Sequence, residues 1–320
     1  MLRANAIAMT YNLSTMSIRP LALLDLPFVY GFREEAIGLD TARTLTRGNP
    51  LGAVGLMAYV NPARHIYSAI ANGESESVLG GIIHTRDETF AKLLYLAPLS
   101  QLGHPELPDL IESLSMQAGE WGAFHVLAEV DEISDAFVPL RRSGFSVYAW
   151  QRMWDVSAIV GSTSSAGWTR VRSVNLPMIQ SLYYQIVPPL LHPVEPQPRD
   201  AAGWVCNEGA KCYVSVTHGV YGIVLTPLIH PEATDVSAKL TALIGNLPDR
   251  RNRPVYVCVR SYQAWLEPVL ADLGAKSGPR QAVMVKHLVR AVKDAALARA
   301  TQPTGVSMQA SRVSKAEGKE

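Results

Sequence analysis

Apolar residues in this chain fall into short runs, either alternating with polar residues or recurring at helical spacing, and Gly- and Pro-rich turns separate them. In the first half the pattern opens with a strand at Ser17–Leu21 and a helix that begins after Asp25. Three closely spaced β-like runs then predict an antiparallel meander, followed by helix, strand, helix and closing strand. These predicted elements are His65–Ala71, Val78–His84, Phe90–Ala97, Leu107–Trp121, Phe124–Val130, Ser134–Arg142 and Phe145–Val156.

The second half repeats this order after Gly161–Gly167 (GSTSSAG), a run of small and polar residues typical of a linker. Its predicted elements are Trp168–Arg172, Asn175–Leu191, Trp204–Cys206, Lys211–Thr217, Val220–Pro227, Asp235–Ile244, Pro254–Arg260, Tyr262–Leu273 and Gln281–Leu288. We therefore predict two domains, 17–158 and 168–292, joined by the linker 159–167. Residues 1–16 are predicted to be flexible, and the polar tail 293–320 is predicted to be disordered.

Individual residues also repeat between the halves. Asp25-Leu26-Pro27 and Asn175-Leu176-Pro177 occupy the same strand-to-helix position, each with a capping residue followed by Leu and Pro. Near the end of each half, a short helix that contains Pro precedes Gly144 or Gly274. Internal duplication is the simplest explanation of both matches.

Composition limits the possible partners. The formal net charge is +1, and only 18% of the residues are charged, so no global field favours nucleic acid or a membrane surface. The N-terminus is too polar for a secretory signal, which predicts a cytoplasmic protein. The cysteines (Cys206, Cys212, Cys258) and nearby histidines (His192, His218, His230) match no metal-ligand spacing, so we expect no metal site.

The order of elements resembles the GNAT N-acetyltransferases. The likeness rests on Ile18-Arg19-Pro20 with Asp25-Leu26-Pro27, and on Ala128-Glu129-Val130 running into Ser143-Gly144-Phe145. Val257-Cys258-Val259 through Gly274-Ala275 is similar but looser. The resemblance implies an α/β fold with a mixed sheet, made of two tandem GNAT-like acyl-CoA N-acyltransferase domains. It also implies acetyl-CoA as cofactor and a small-molecule or peptide amine as acceptor.

Both halves depart from the family in the loop that holds the acetyl-CoA pyrophosphate. That site needs glycines and free amides at a helix N-terminus. The first loop keeps Gln101 and Gly103, but Pro105 lacks an amide and Glu106 adds a negative charge. The second loop, Pro227 to Asp235, has no glycine. Leu140 and Leu270 stand where the family often has the Tyr that protonates the leaving thiolate.

Two functions follow from this mixture. In the first, domain 1 is an N-acyltransferase, with Glu129 or His84 as the general base at the end of a strand. Acyl-CoA would then lie along Leu94, Tyr95 and Leu96 and over Gln101, Leu102 and Gly103. In the second, the chain is a catalytically silent tandem fold that binds a ligand or a protein.

Overall fold

A computed structural model describes residues 17–57, 65–72, 77–86, 88–161, 167–198, 203–206 and 211–288. All of them belong to one unit, Met1–Leu288. The predicted flexible N-terminus, the disordered tail and most of GSTSSAG lie outside the described residues. The domain boundaries therefore stay a prediction.

The predicted order of helices and strands is present in both halves. The strands are β1 Ser17–Pro20, β2 Ile37–Gly38, β3 His65–Asn72, β4 Ser77–His84, β5 Phe90–Ala97, β6 His125–Asp131, β7 Ser146–Asp155, β8 Trp168–Arg170, β9 Trp204–Cys206, β10 Cys212–His218, β11 Ile223–Ile229, β12 Val255–Arg260 and β13 Lys276–His287. The helices are α1 Leu26–Gly31, α2 Thr41–Arg47, α3 Ala53–Met57, α4 Leu107–Glu120, α5 Phe137–Arg142, α6 Leu176–Ile186, α7 Val236–Gly245 and α8 Leu266–Asp272.

Several element bounds differ from the sequence prediction, and three of the differences bear on the architecture. The two-residue strand β2 has no sequence signal, since so short a run shows no period. Helix α6 ends at Ile186 rather than Leu191, because Pro188 and Pro189 follow and the residue before a proline avoids helical geometry. Strand β13 begins five residues earlier than predicted, before a β-bulge beside Gly278.

All thirteen described strands join one mixed sheet, in the order β1-β3-β4-β5-β6-β13-β7-β12-β11-β10-β9-β8, with β2 on the edge of β5. Each half contributes antiparallel neighbours and one parallel pair, β5–β6 in the first half and β11–β12 in the second. Helices α4 and α5 cover one face of the first half, over a core that includes Leu110, Leu114 and Leu140.

The two halves exchange their closing strands. Strand β13 of the second half lies between β6 and β7, and β7 of the first half pairs with β12. In the β7–β13 pair Gln151 lies opposite Gln281, and the Gln151 amide donates to Gln281 Oε1 at 2.9 Å. Gln151 is seven residues after Gly144, and Gln281 is seven residues after Gly274, so the two glutamines are equivalent positions of the repeat. The structure thus places a pseudo-two-fold axis at the centre of the sheet.

A histidine pair holds the exchanged strand β13 against β6. His125 and His287 are cross-strand partners, with their Nδ1 atoms 3.0 Å apart. Burial, together with the neighbouring His287, lowers the pKa of His125 below its ordinary value of 6.5. Protonation of His125 therefore favours the unfolded chain, so stability is full above about pH 6.5 and declines as the pH falls toward the folded pKa.

We expect His125→Gln to make the free energy of unfolding less dependent on pH below 6.5, because Gln carries no charge at any pH. Urea unfolding at a series of pH values measures this slope. His287→Gln should reduce the slope as well, since it removes the second cause of the lowered pKa. An unchanged slope in both variants would contradict the assignment.

Candidate functional site

In the first half, the parallel strands β5 and β6 separate and leave a gap that we call the first wedge. The chain's own backbone fills this gap. Strands β5 and β6 pair only from Phe90 to Lys92 and then separate. Residues 37–39 lie in the opening: β2 pairs with Leu96 and Tyr95, and the Leu39 amide donates to Leu94 O at 2.9 Å. On the other side, the Glu129 amide donates to Leu39 O at 2.8 Å. The backbone groups on the edge of β5 that were predicted to hold acyl-CoA are therefore already hydrogen-bonded to residues 37–39.

The second wedge, between β11 and β12, is filled by one side chain. Gln263 is 1% exposed, and its Oε1 accepts the Ile229 amide at 2.9 Å. Its Nε2 donates to Pro227 O at 2.8 Å. Since Pro227 has no N–H, this stretch of β11 offers few groups to an incoming ligand.

In the loop after β5, backbone amides form hydrogen bonds within the loop itself. The His104 amide donates to Gln101 O at 3.0 Å, the Glu106 amide to His104 Nδ1 at 3.3 Å, and the Leu107 amide to His104 O at 3.1 Å. Pro105 and Pro108 have no amide. The Glu106 Oε2 atom is buried without a hydrogen-bond partner among the described residues. A pyrophosphate here would meet the negative charge of Glu106, and the amides of His104, Glu106 and Leu107 already have partners within the loop.

The loop after β11 makes the same local contact. The Glu232 amide donates to His230 Nδ1 at 3.2 Å, and Lys211 Nζ lies 3.2 Å from Glu232 Oε2. The tripeptide His-Pro-Glu thus recurs at His104 and at His230, although it lies three residues farther from the helix in the second half. This repeated tripeptide is a further sequence signal of the duplication.

An open cavity of about 330 Å³ lies on the sheet face opposite α4 and α5, mostly on strands of the second half. Hydroxyl and aromatic groups line it from β10 and β11, and charged groups from the centre of the sheet. The lining residues are Ala42, Glu88, Lys92, Glu129, Gln151, Met153, Tyr183, Glu195, Pro196, Gln197, Pro198, Tyr213, Ser215, Thr217, Thr226, Leu228, Cys258, Arg260 and Tyr262. We call this space the central cavity.

A buried ion cluster forms the inner end of the central cavity. Arg260 Nε lies 3.2 Å from Glu195 Oε1, and Arg260 Nη2 lies 3.8 Å from Glu129 Oε1. Arg260 also donates to Gln151 Oε1, which ties the cluster to the pseudo-two-fold axis. Lys92 pairs with Asp40 at 3.2 Å. Residues from both halves therefore share one electrostatic environment.

The segment that fills the first wedge continues into this cluster. Asp40 follows Leu39 directly, and its Oδ1 accepts the Arg43 amide at the start of α2. The Thr41 amide donates to Glu129 Oε2 at 2.9 Å, and Thr41 Oγ1 donates to Gln281 Oε1 at 3.1 Å. The residues in the wedge are thus anchored by the same carboxylate that lines the cavity.

Burial sets the protonation of this cluster. It raises the pKa of Glu195, against the opposing charge of Arg260. Burial alone would lower the pKa of Lys92, but Asp40 and Glu129 outweigh it and the pKa is raised. Burial also raises the pKa of Cys258 to about 12, so its thiol is not a nucleophile at neutral pH.

The predicted site residues do not form one site. Glu129 lines the central cavity, whereas His84 stacks near His65 and Trp121 and its Nε2 contacts Glu88 O at 2.9 Å. Leu94, Tyr95 and Leu96 are buried, and Tyr95 donates to Ser68 Oγ. Leu102 and Gly103 line a separate pocket of about 120 Å³ beside Arg142, and Gln101 lies in the short helical turn Leu99–Gln101.

Lys92, Glu195, Arg260 and Gln263 carry the site but have no motif that reveals them. Lys92, Glu195 and Arg260 stand far apart along the sequence, and the folded sheet brings them together. Among the described residues, no group of three or more His, Cys, Asp or Glu side chains could hold a metal ion. No helix in the described ranges is long and apolar enough to cross a membrane.

Comparison with known proteins identifies the fold. No family model matches the chain, and no curated protein matches it in sequence. The chain is similar to a GCN5-related N-acetyltransferase from Sphaerobacter thermophilus, at 11% identity and a TM-score of 0.55 over 85% of this chain and 95% of that one. It is also similar to a tandem GNAT protein from the clavulanic acid biosynthesis pathway, at 14% identity and a TM-score of 0.51 over 85% and 98%.

The chain therefore has a tandem GNAT acetyltransferase fold, as the resemblance predicted. In the structure described above, the loops after β5 and β11 and the two wedges do not fit acetyl-CoA. The groups that would receive the cofactor are bonded within the chain, and a carboxylate stands at the pyrophosphate position.

Proposed function

We propose that this chain is a ligand-binding protein built on the tandem GNAT fold, and that it does not depend on acyl-CoA. One observation carries the proposal: residues 37–39 already occupy the edge of β5, with bonds to both Leu94 and Glu129. A ligand along this edge would have to break hydrogen bonds that the folded chain makes for itself.

Two further observations support it. Both loops that would hold a pyrophosphate are closed by His-Pro-Glu, through the contact between the Glu amide and the His ring. By contrast, the central cavity is open and lined by polar side chains. Concave sites with a few convergent polar groups are the usual places where proteins bind small molecules.

Titration of the purified protein with acetyl-CoA by calorimetry tests the proposal. We expect no heat of binding at high micromolar acetyl-CoA, because neither wedge offers a free strand edge. Gly103→Glu is the matched control, since an added Cβ at Gly103 meets no atom within 4 Å and the variant should fold normally. Binding that Gly103→Glu abolishes would overturn the proposal and would place the coenzyme in the first half.

The fold likeness favours a second candidate, an N-acyltransferase that acts on an amine. Acyl-CoA would lie along Leu94–Leu96 and Gln101–Gly103, with Glu129 as the base. This function requires residues 37–39 to leave the wedge. Release of free CoA thiol in the presence of acetyl-CoA and a panel of amines would establish it.

A further inference from the structure

We propose that the central cavity binds an organic ammonium ion and holds it in its protonated form. The inference rests on the proposed ligand-binding function and names the chemical class of the ligand. It follows from the balance of charge at the inner end of the cavity.

The formal charges of the described residues at the inner end of the cavity do not sum to zero. Among the described residues, three carboxylates (Asp40, Glu129, Glu195) face two cations (Lys92, Arg260). Asp40 pairs with Lys92, and Glu195 is the nearer carboxylate partner of Arg260. Among the described residues Glu129 is then the carboxylate in excess, since its nearest cationic atom, Arg260 Nη2, is 3.8 Å away and its other oxygen accepts the Thr41 amide.

The excess charge is shielded from water. The side chains of Glu129 and Glu195 are 11% and 4% exposed, and that of Arg260 is 10% exposed. Buried ions are stable only when they are paired, so a carboxylate without its own cation favours a ligand that brings one.

The remaining walls suit an organic ammonium. Tyr183, Tyr213 and Tyr262 line the cavity with rings, whose faces attract cations. Three hydroxyl side chains of β10 and β11, Ser215, Thr217 and Thr226, form a polar wall for the rest of the molecule.

Such a site binds the amine rather than activating it. A carboxylate next to an ammonium raises the pKa of the amine and keeps its proton. Acyl transfer needs the opposite, a neutral amine with a free electron pair. The same charge that attracts the ligand therefore opposes acylation.

Calorimetric titration with two matched pairs of probes tests the inference: phenethylamine against 2-phenylethanol, and glucosamine against glucose. We expect millimolar or tighter binding of at least one amine and none of its neutral counterpart. Glu129→Gln should weaken that binding by about tenfold or more, because it removes the excess charge but keeps an acceptor for the Thr41 amide.

Glu132→Gln is the matched control, since it removes one negative charge from an exposed pair with Arg280 outside the cavity. It should leave the affinity unchanged. The inference is overturned if no amine binds at millimolar concentration, if the neutral probe binds equally well, or if both variants weaken binding alike. Acetyl-CoA binding would overturn the proposed function alone, because that titration reports on the wedges and not on the cavity.

Discussion

Arg260→Met is expected to destabilise the protein by about 3–5 kcal/mol, because it leaves two buried carboxylates without their shared cation. Met keeps much of the side-chain volume, so lost charge rather than a large cavity dominates the change. Urea unfolding at neutral pH measures the loss. The loss should shrink as the pH falls, because burial already raises the pKa of Glu195 and protonation removes its unpaired charge.

Two variants control for this effect. Arg152→Met removes an exposed partner of Glu267, and we expect a loss of less than about 1 kcal/mol there. The double variant Arg260→Met with Glu195→Gln should recover part of the stability, since one unpaired carboxylate is then gone. Equal losses in Arg260→Met and Arg152→Met would show that the cluster is not an electrostatic unit.

Elements with a clear period could be predicted from the sequence, because helices such as α4 and strands such as β7 show their buried face locally. The duplication could also be predicted, since Asp25-Leu26-Pro27 and Asn175-Leu176-Pro177 match in position and Gly144 and Gly274 end equivalent helices. Strand β2 could not, because a two-residue strand is defined by its partner and not by its own pattern.

The exchange of closing strands is invisible in the sequence for a physical reason. The alternation of β7 shows which of its side chains are buried but not which neighbouring strand pairs with it. The cavity depends on this exchange, since it brings Glu129 near Arg260 although they lie in different halves. Glu129 could be singled out as a charged strand end, whereas Glu195 and Arg260 look like ordinary surface residues in the sequence.

In the two wedges, the backbone groups of the separating strands find hydrogen-bond partners in different ways. Parallel strands that separate leave backbone N–H and C=O groups without partners, and buried groups of this kind are strongly unfavourable. In the first half another stretch of backbone supplies the partners, and in the second half the amide of Gln263 supplies one donor and one acceptor. Because the Gln263 side chain pairs both an N–H group and a C=O group, it should contribute much of the stability of this part of the sheet.

Gln263→Leu is therefore expected to lower the free energy of unfolding by about 2–4 kcal/mol, since it leaves the Ile229 amide and the Pro227 carbonyl buried and unpaired while keeping the volume. Gln185→Leu, on the exposed face of α6, should change stability by less than about 0.5 kcal/mol. Urea unfolding of both variants measures the difference, and equal values would show that the wedge bonds contribute little.

Acetyl-CoA should still not bind to Gln263→Leu, because Pro227 offers no N–H and the His230 loop stays closed. The filled wedge is then one of several features that exclude the coenzyme, and opening it alone does not restore an acetyltransferase site.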